Sequence, residues 1–377
     1  MLISVIGKVL RWLGRQLTWV LAGVMWVAAI ALCAITLPKT GAPVISIVLV
    51  GLLLAVTVWA HEGGHYLGAR LMGMRVMRLC ASFVDIVPQR RGLRWRWRRV
   101  RGLAGFVYAL PQPGQAMRPA YLVFAAGGPV ANFLLAALGG GVAWLCWPAP
   151  VVGVVLASVV INAMVGLMNL LPSSDGRLSD GMLLLAWGRG VDERGPMLAF
   201  TRLSSYSVFG RTADALLSHA DLAEVERQPS PAPLFALWYR VKAAQNCADW
   251  ADTPALRQVF DAQMQALAPA LRAGLRELTD LLRVELAFSE AMRMCDEAPL
   301  RELALSPDVA WLVPTLQPRL DALRAALKGD RAACERALDA VRRYAENEVD
   351  AALAPSEARI AAALRARFGI APWPMAS

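Results

Sequence analysis

Four stretches of the chain carry no charge at all: residues 17–37, 42–60, 119–147 and 151–171. As helices, these apolar runs are about long enough to cross the ~30 Å hydrocarbon core of a bilayer. Between the second and third the period changes from helical to two. Arg94-Trp95-Arg96-Trp97-Arg98 alternates strictly, and residues 76–87 also read as strand. The pattern predicts a small sheet at the membrane surface, tryptophans on the lipid interface and arginines toward water or phosphate. Such a sheet is either an interfacial anchor or an exposed edge to which an extended substrate adds itself. Beyond residue 190 no apolar run is long enough to span. Ala, Leu and Arg recur there at helical spacing in 271–286, 320–327 and 334–344. Breaks at Pro229, Pro231, Pro254, Pro269, Pro299 and Gly329 predict antiparallel helices, loosely like a tetratricopeptide array but without a clean repeat. The expected fold is therefore an all-α, multi-pass membrane protein. It has four transmembrane helices and a small interfacial β element, followed by a soluble helical domain. The expected segments are 1–41 (basic start and first span), 42–190 (core) and 191–377 (helical domain).

Charge sharpens the division. Of 377 residues, the first 190 hold 17 Lys+Arg against 4 Asp+Glu, whereas the remainder holds 22 against 25. Basic residues beside apolar spans mark cytoplasmic loops and anionic lipid headgroups rather than nucleic acid. The arginine-dense stretch 70–101 is thus expected on the cytoplasmic side, as are the amino terminus and the helical domain. A protein partner at that helical domain is the functional expectation for it; a solvated cap is the plain one. The six cysteines form no Cys-x-x-Cys pair, which fits buried apolar thiols in a reducing compartment.

Chemistry enters at the end of the second apolar run, with His61-Glu62-Gly63-Gly64-His65. In a helix His61 and His65 lie one turn apart on one face, so both can reach one metal ion. Glu62 beside them can serve as general base on a water activated by that metal. Isolated matches to this spacing occur by chance. Here, however, two of only three histidines in the chain would have to fall there. Gly63 and Gly64 each cost a helix interior about 1 kcal/mol relative to Ala, so a close approach of backbone or substrate is expected to compensate. Catalytic zinc takes three protein ligands and leaves the fourth position to water. The third can be His219, Asp175 or Asp180. His219 lies in the charged half, and Asp175 sits in a polar loop beside Arg177. Asp180 opens an apolar helical run and is preferred, although Ser179-Asp180 would also serve as a plain helix cap. A cytoplasmic start brings the ends of spans two and four to the same side, so the His pair and both Asp-Gly segments share one depth. Asn132, polar at span depth, is expected to bond a neighbouring helix or a substrate backbone.

Taken together, His61-Glu62-Gly63-Gly64-His65, the segment Gly127-Gly128-Pro129-Val130-Ala131-Asn132, and Asn169-Leu170-Leu171-Pro172 followed by Asp-Gly resemble the site-2 protease family of intramembrane zinc metalloproteases. The resemblance covers roughly residues 42–190. It implies a three-helix catalytic core and cleavage of membrane-spanning protein substrates in regulated proteolysis signalling. Carried over, His61, His65 and Asp180 hold Zn2+, Glu62 is the base, and Asn169 with Asn132 helps hold the substrate. The family's usual Asp-Gly spacing falls between Asp175 and Asp180, which keeps both as candidates. The implied location is the inner membrane of a bacterial cell. A catalytically idle scaffold that binds membrane proteins is the competing reading, and the intact Glu62 argues against it.

Overall fold

The computed structural model describes residues 2–37, 42–97, 105–171 and 179–370. They divide into two compact units: Met1–Pro88 with Leu93–Glu193, and Gln89–Gly92 with Arg194–Ser377.

In the first unit five helices follow one another: α1 (Leu2–Thr36), α2 (Ala42–Leu71), α3 (Met117–Leu145), α4 (Val152–Leu170) and α5 (Asp180–Arg189). Four stretches, Gln16–Thr36, Pro43–Leu71, Met117–Leu145 and Val152–Leu170, are long and apolar enough to cross a membrane. They fall where the uncharged runs of the sequence predict them. Their outward surfaces are apolar too: Trp19, Val27, Ile35, Leu52 and Leu138 are all exposed. A helix that is hydrophobic all round is at home in lipid. Met25, Ala29 and Cys33 of α1, Val50 of α2, and Ala157, Ile161 and Val165 of α4 form the apolar packing among the spans. α2 and α3 approach through small residues. A Cβ at Gly64 would overlap the Gly127 carbonyl, and a Cβ at Gly127 would overlap that of Gly64. In lipid, where burial of apolar area gives no drive, such backbone proximity is what packs helices. It also offsets the helix-weakening Gly64, as the sequence led one to expect, whereas a Cβ at Gly63 would meet nothing within 4 Å, so the expectation fails there.

Between α2 and α3 lies an antiparallel sheet of β1 (Arg75–Ala81), β2 (Val84–Pro88), β3 (Leu93–Trp97) and β4 (Gly105–Leu110), in the order β3-β2-β1-β4. Here the structure corrects three expectations. Residues 76–87 are not one strand but two, folded back at Ser82, whose φ of 52° makes the turn. β4, which the sequence pattern does not announce, pairs with β1 from Arg75↔Leu110 to Ala81↔Gly105. In β3, Trp95 and Trp97 are exposed as expected, but Arg94 and Arg96 are half-buried rather than turned to water. For Arg96 the cause is Asp85, fully buried and paired opposite it. Arg78 grips it with two bonds of 2.8 Å, and Arg96 Nε donates to it at 3.3 Å. Buried charge is tolerated only when paired in this way. The opposite face packs Leu79 and Ala81 against Val58 of α2, with Tyr66, Ile86 and Val107 around them.

The second unit is helical: α6 (Ala199–Val208), α7 (Ala220–Arg227), α8 (Ala232–Asn246), α9 (Thr253–Ala266), α10 (Pro269–Gly274), α11 (Arg276–Met294), α12 (Pro307–Leu312), α13 (Leu316–Leu327), α14 (Arg331–Asn347) and α15 (Leu353–Phe368). None of its described helices is long and apolar enough to cross a membrane. Its main core joins Phe288 and Met292 of α11, Leu316, Leu320 and Leu323 of α13, Leu338 of α14, and Ile360 and Leu364 of α15. Within the unit lies a buried set of charges. Arg319 bonds Glu285 at 2.5 Å and Glu357 at 2.8 Å, and Lys242 lies 3.6 Å from each of the same two carboxylates.

Candidate metal centre

The site assembles at the carboxyl half of α2. His61 and His65 face the same way, as residues four apart on a helix must. Both are buried, at 6% and 5% exposure. Their Nε2 atoms are 3.2 Å apart. His65 Nδ1 lies 2.7 Å from the Phe124 carbonyl of α3. A carbonyl only accepts, so that nitrogen carries a proton, and a neutral ring held this way presents its lone pair at Nε2. Orientation of a ligand histidine by a backbone carbonyl is the usual outer support of metal sites. Pro129, inside α3, has no N–H to donate to the Ala125 carbonyl, so the ladder of backbone bonds is already interrupted in this turn.

Asp180 completes the cluster. Its Oδ2 is 3.0 Å from His61 Nε2 and its Oδ1 is 3.3 Å from His65 Nε2. Asp180 does not cap its own helix. Ser179 does so, accepting from Met182 N at 3.2 Å and donating to the Leu171 carbonyl at 2.7 Å. That division of labour leaves the aspartate free to face the imidazoles. α5 is fixed at both ends. A Cβ at Gly181 would overlap the Leu170 carbonyl, so the first turn of α5 rests on the end of α4. At the other end Trp187 stacks on Tyr121 of α3 at 4.7 Å. Arg118 donates to the Gly188 carbonyl at 2.7 Å, and the Glu193 carboxylate accepts from Met117 N and Arg118 N at 2.8 Å each. A carboxylate at a helix amino terminus meets unsatisfied N–H groups and the positive end of the dipole.

The donor set fits a metal. His61, His65 and Asp180 each offer a ligand atom, all within 4.8 Å of one another. Bonds of ~2.0–2.1 Å in a tetrahedral site separate neighbouring ligand atoms by ~3.3 Å, close to the contacts found here. Two lone pairs and a carboxylate crowded together repel unless a cation or a proton lies between them, and among the described residues Asp180 Oδ2 has no hydrogen-bond partner beyond this cluster. Space is kept clear as well: a Cβ at Gly128 would lie 2.5 Å from His65 Nε2 and 2.7 Å from His61 Nε2. Glu62 is buried at 6% exposure, with Oε2 unpartnered among the described residues. β4 covers it; a Cβ at Gly105 would lie 2.5 Å from Glu62 Oε1.

Of the residues singled out in the sequence, the structure thus brings together His61, Glu62, His65 and Asp180. Asp175 lies outside the described residues. His219 is occupied elsewhere: it caps α7, its Nδ1 accepting from Asp221 N at 3.2 Å. Asn169 is half-buried, with Nδ2 donating to the Val165 carbonyl at 2.9 Å. Asn132 is fully buried and makes no bond to a neighbouring helix among the described residues. Sequence reasoning missed Phe124, Gly128, Gly105 and Glu193. The Gly127-Gly128 pair in a span was a usable signal for close approach, but nothing in the sequence placed it over the imidazoles.

Comparison with known proteins agrees with this geometry. Residues 49–150 match the model of Peptidase family M50, the site-2 protease family. The resemblance seen in the motifs is borne out, and with it a hydrolase of the metalloprotease kind in a membrane protein. The match covers just over a quarter of the chain. It includes His61, Glu62, His65 and Asn132 but ends before Asn169 and Asp180. No curated protein and no solved structure matches the chain.

Proposed function

We propose that the protein is an intramembrane zinc endopeptidase that cuts membrane-protein substrates in or near their spanning segments. The observation that carries this reading is the convergence of His61 Nε2, His65 Nε2 and an Asp180 carboxylate oxygen beside a buried glutamate. His61, His65 and Asp180 hold the ion. When bound, zinc polarises the scissile carbonyl and acidifies the attacking water. Glu62 takes that water's proton and passes it to the leaving nitrogen, and burial keeps competing solvent away from the transfer. A substrate helix hides its carbonyls in its own hydrogen bonds and must unwind locally before attack. β4 supports a way to hold the unwound stretch. It is an edge strand that starts against Glu62, so an extended substrate paired along it runs toward the base. Asn169 serves as a polar anchor for the same backbone. Asn132 has no exposed surface, so a role in holding substrate requires the helices to part first.

The reading extends to place and partners. The positive-inside rule puts the arginine-rich connection between α2 and α3, the amino terminus and the second unit in the cytoplasm, with the spans in a bacterial inner membrane. The exposed Trp95 and Trp97 rest among anionic lipid headgroups, and the helical unit receives a protein partner during regulated proteolysis. Glu62→Gln tests the chemistry, because the amide keeps the shape but cannot accept the proton. Cleavage of a membrane-spanning substrate should fall about 10²–10⁴-fold while bound zinc, measured by elemental analysis, stays unchanged. Unchanged cleavage would overturn the assignment of the base. Wild-type protein that retains zinc and cuts nothing would favour the scaffold.

A further inference from the structure

Besides Glu62, three buried side chains in the spans have unpartnered polar atoms among the described residues, and none of the three belongs to the ligand cluster. Thr57 of α2 and Asn132 of α3 have no exposed surface, and Asn162 of α4 has 3%. Thr57 Oγ1, both amide atoms of Asn132, and Asn162 Oδ1 lack a hydrogen-bond partner among the described residues. Asn162 Nδ2 alone is satisfied, donating to the Ser158 carbonyl at 2.9 Å.

Helix geometry places the three at one level of the spans. Thr57 precedes His61 by four residues and so lies one turn away on the same face of α2. Asn132 follows Gly128 by four residues on α3, and Gly128 is the residue pressed against both imidazoles. The two helices run antiparallel past each other at Gly64 and Gly127, so one turn back on α2 meets one turn forward on α3. On α4, a Cβ at Gly166 would touch Asn132 Cβ at 3.4 Å, and Asn162 lies one turn before Gly166. All three side chains therefore fall within about one helical turn, or ~6 Å along the axes, of a common level behind the metal ligands.

Buried polar groups in native proteins are satisfied by protein or by ordered water. Here the unsatisfied set is two carbonyl oxygens, one amide donor and one hydroxyl, which complements the two donors and two acceptors of a water molecule. We propose that Thr57, Asn132 and Asn162 form a hydrated pocket in the helix core, one turn behind the ligand cluster, that stores water for peptide hydrolysis. The storage role rests on the protease reading above; the pocket itself does not. Each peptide bond cut consumes one water in a site walled by apolar helices, and this pocket is a polar reservoir beside it. The amide oxygens of Asn132 and Asn162 accept from the water, and Asn132 Nδ2 and the Thr57 hydroxyl donate to it.

The test uses the full chain in lipid nanodiscs and the variants Thr57→Val, Asn162→Leu, their double mutant, and Thr57→Ser. A shared water predicts that each apolar variant lowers the thermal midpoint, that the double mutant costs less than the sum, and that Thr57→Ser restores the wild-type midpoint. A map that resolves solvent should show density between the three side chains. Midpoints that rise on removing the polar groups would mean dry, unsatisfied atoms and would overturn the pocket. So would additive losses, or an Asn132–Asn162 hydrogen bond with no water between. For the storage role, Thr57→Val should slow cleavage severalfold with zinc content unchanged. Full-speed cleavage by a variant whose map has lost the water would overturn that role. Absence of cleavage by the wild type counts against the protease reading, and the pocket then stands or falls on the midpoints and the density.

Discussion

Two clusters of buried polar groups, one in each unit, are completed in opposite ways. In the helical unit, Lys242, Gln245, Glu285, Ser289, Arg319 and Glu357 bond one another. Gln245 Nε2 reaches both Glu285 at 2.9 Å and Ser289 at 3.1 Å, and the Arg319 guanidinium also lies 4.9 Å above the Phe288 ring. Two cations meet two anions, and every member has a partner; only Arg319 Nε and Glu357 Oε2 are left over. In the membrane unit, by contrast, atoms of Glu62 and Thr57 on α2, Asn132 on α3, Asn162 on α4 and Asp180 on α5 are unpartnered among the described residues. A closed network specifies a fold, because half-satisfied alternatives are costly. An open set is a burden on the fold and makes sense only where an ion, water or substrate completes it. The contrast separates side chains kept for architecture from side chains kept for chemistry.

Filling the open site should have the largest effect. Gly128→Ala puts a methyl against both imidazoles. Cleavage should fall by about 10²-fold or more, since small misplacements of reacting groups cost that much, and zinc binding should weaken in elemental analysis. Next, Asp180→Ala should strip zinc from the purified chain on dialysis whereas Asp175→Ala should not. The opposite result would move the third ligand into the loop between α4 and α5. Breaking the closed network should cost stability rather than chemistry. Arg319→Met leaves Lys242 alone to face two buried carboxylates and should destabilise the helical unit by about 3–5 kcal/mol, read from its denaturation midpoint. The smallest effect is acid sensitivity. Burial alone would raise the Glu285 carboxyl, but Arg319 and Lys242 hold it down to about 2 from an ordinary 4.5. Its contribution is therefore present above the ordinary value and is lost as pH falls from there to about 2. Arg319→Met should shift the acid transition of the helical unit to higher pH, followed by circular dichroism.

What the sequence disclosed and what it hid divide along physical lines. The spans were legible because charge is excluded from lipid over ~20 residues, a signal that needs no partner. The ligands were legible because His61, His65 and Glu62 lie on adjacent turns of one helix, and because Asp180 begins the apolar run that became α5. β4 was hidden because Gly-Phe-Val-Tyr-Ala-Leu shows no alternation; its strand state comes from pairing with β1. The β1–β2 turn was hidden because Ser82, not Gly or Asn, holds the positive φ. The inward Arg96 followed from the burial of Asp85, which no local pattern announces. Phe124 and Glu193 act through a backbone carbonyl and backbone N–H groups, contacts between segments far apart in sequence.

Because α5 is latched at both its ends, by Gly181 on α4 and by Trp187, Gly188 and Glu193 on α3, the polypeptide itself fixes where Asp180 stands, and an ion bound as proposed would meet ligands already in place. Chelation should accordingly leave the fold standing, and a chain stripped of zinc should be rechargeable by simple addition of the metal without a cycle of unfolding.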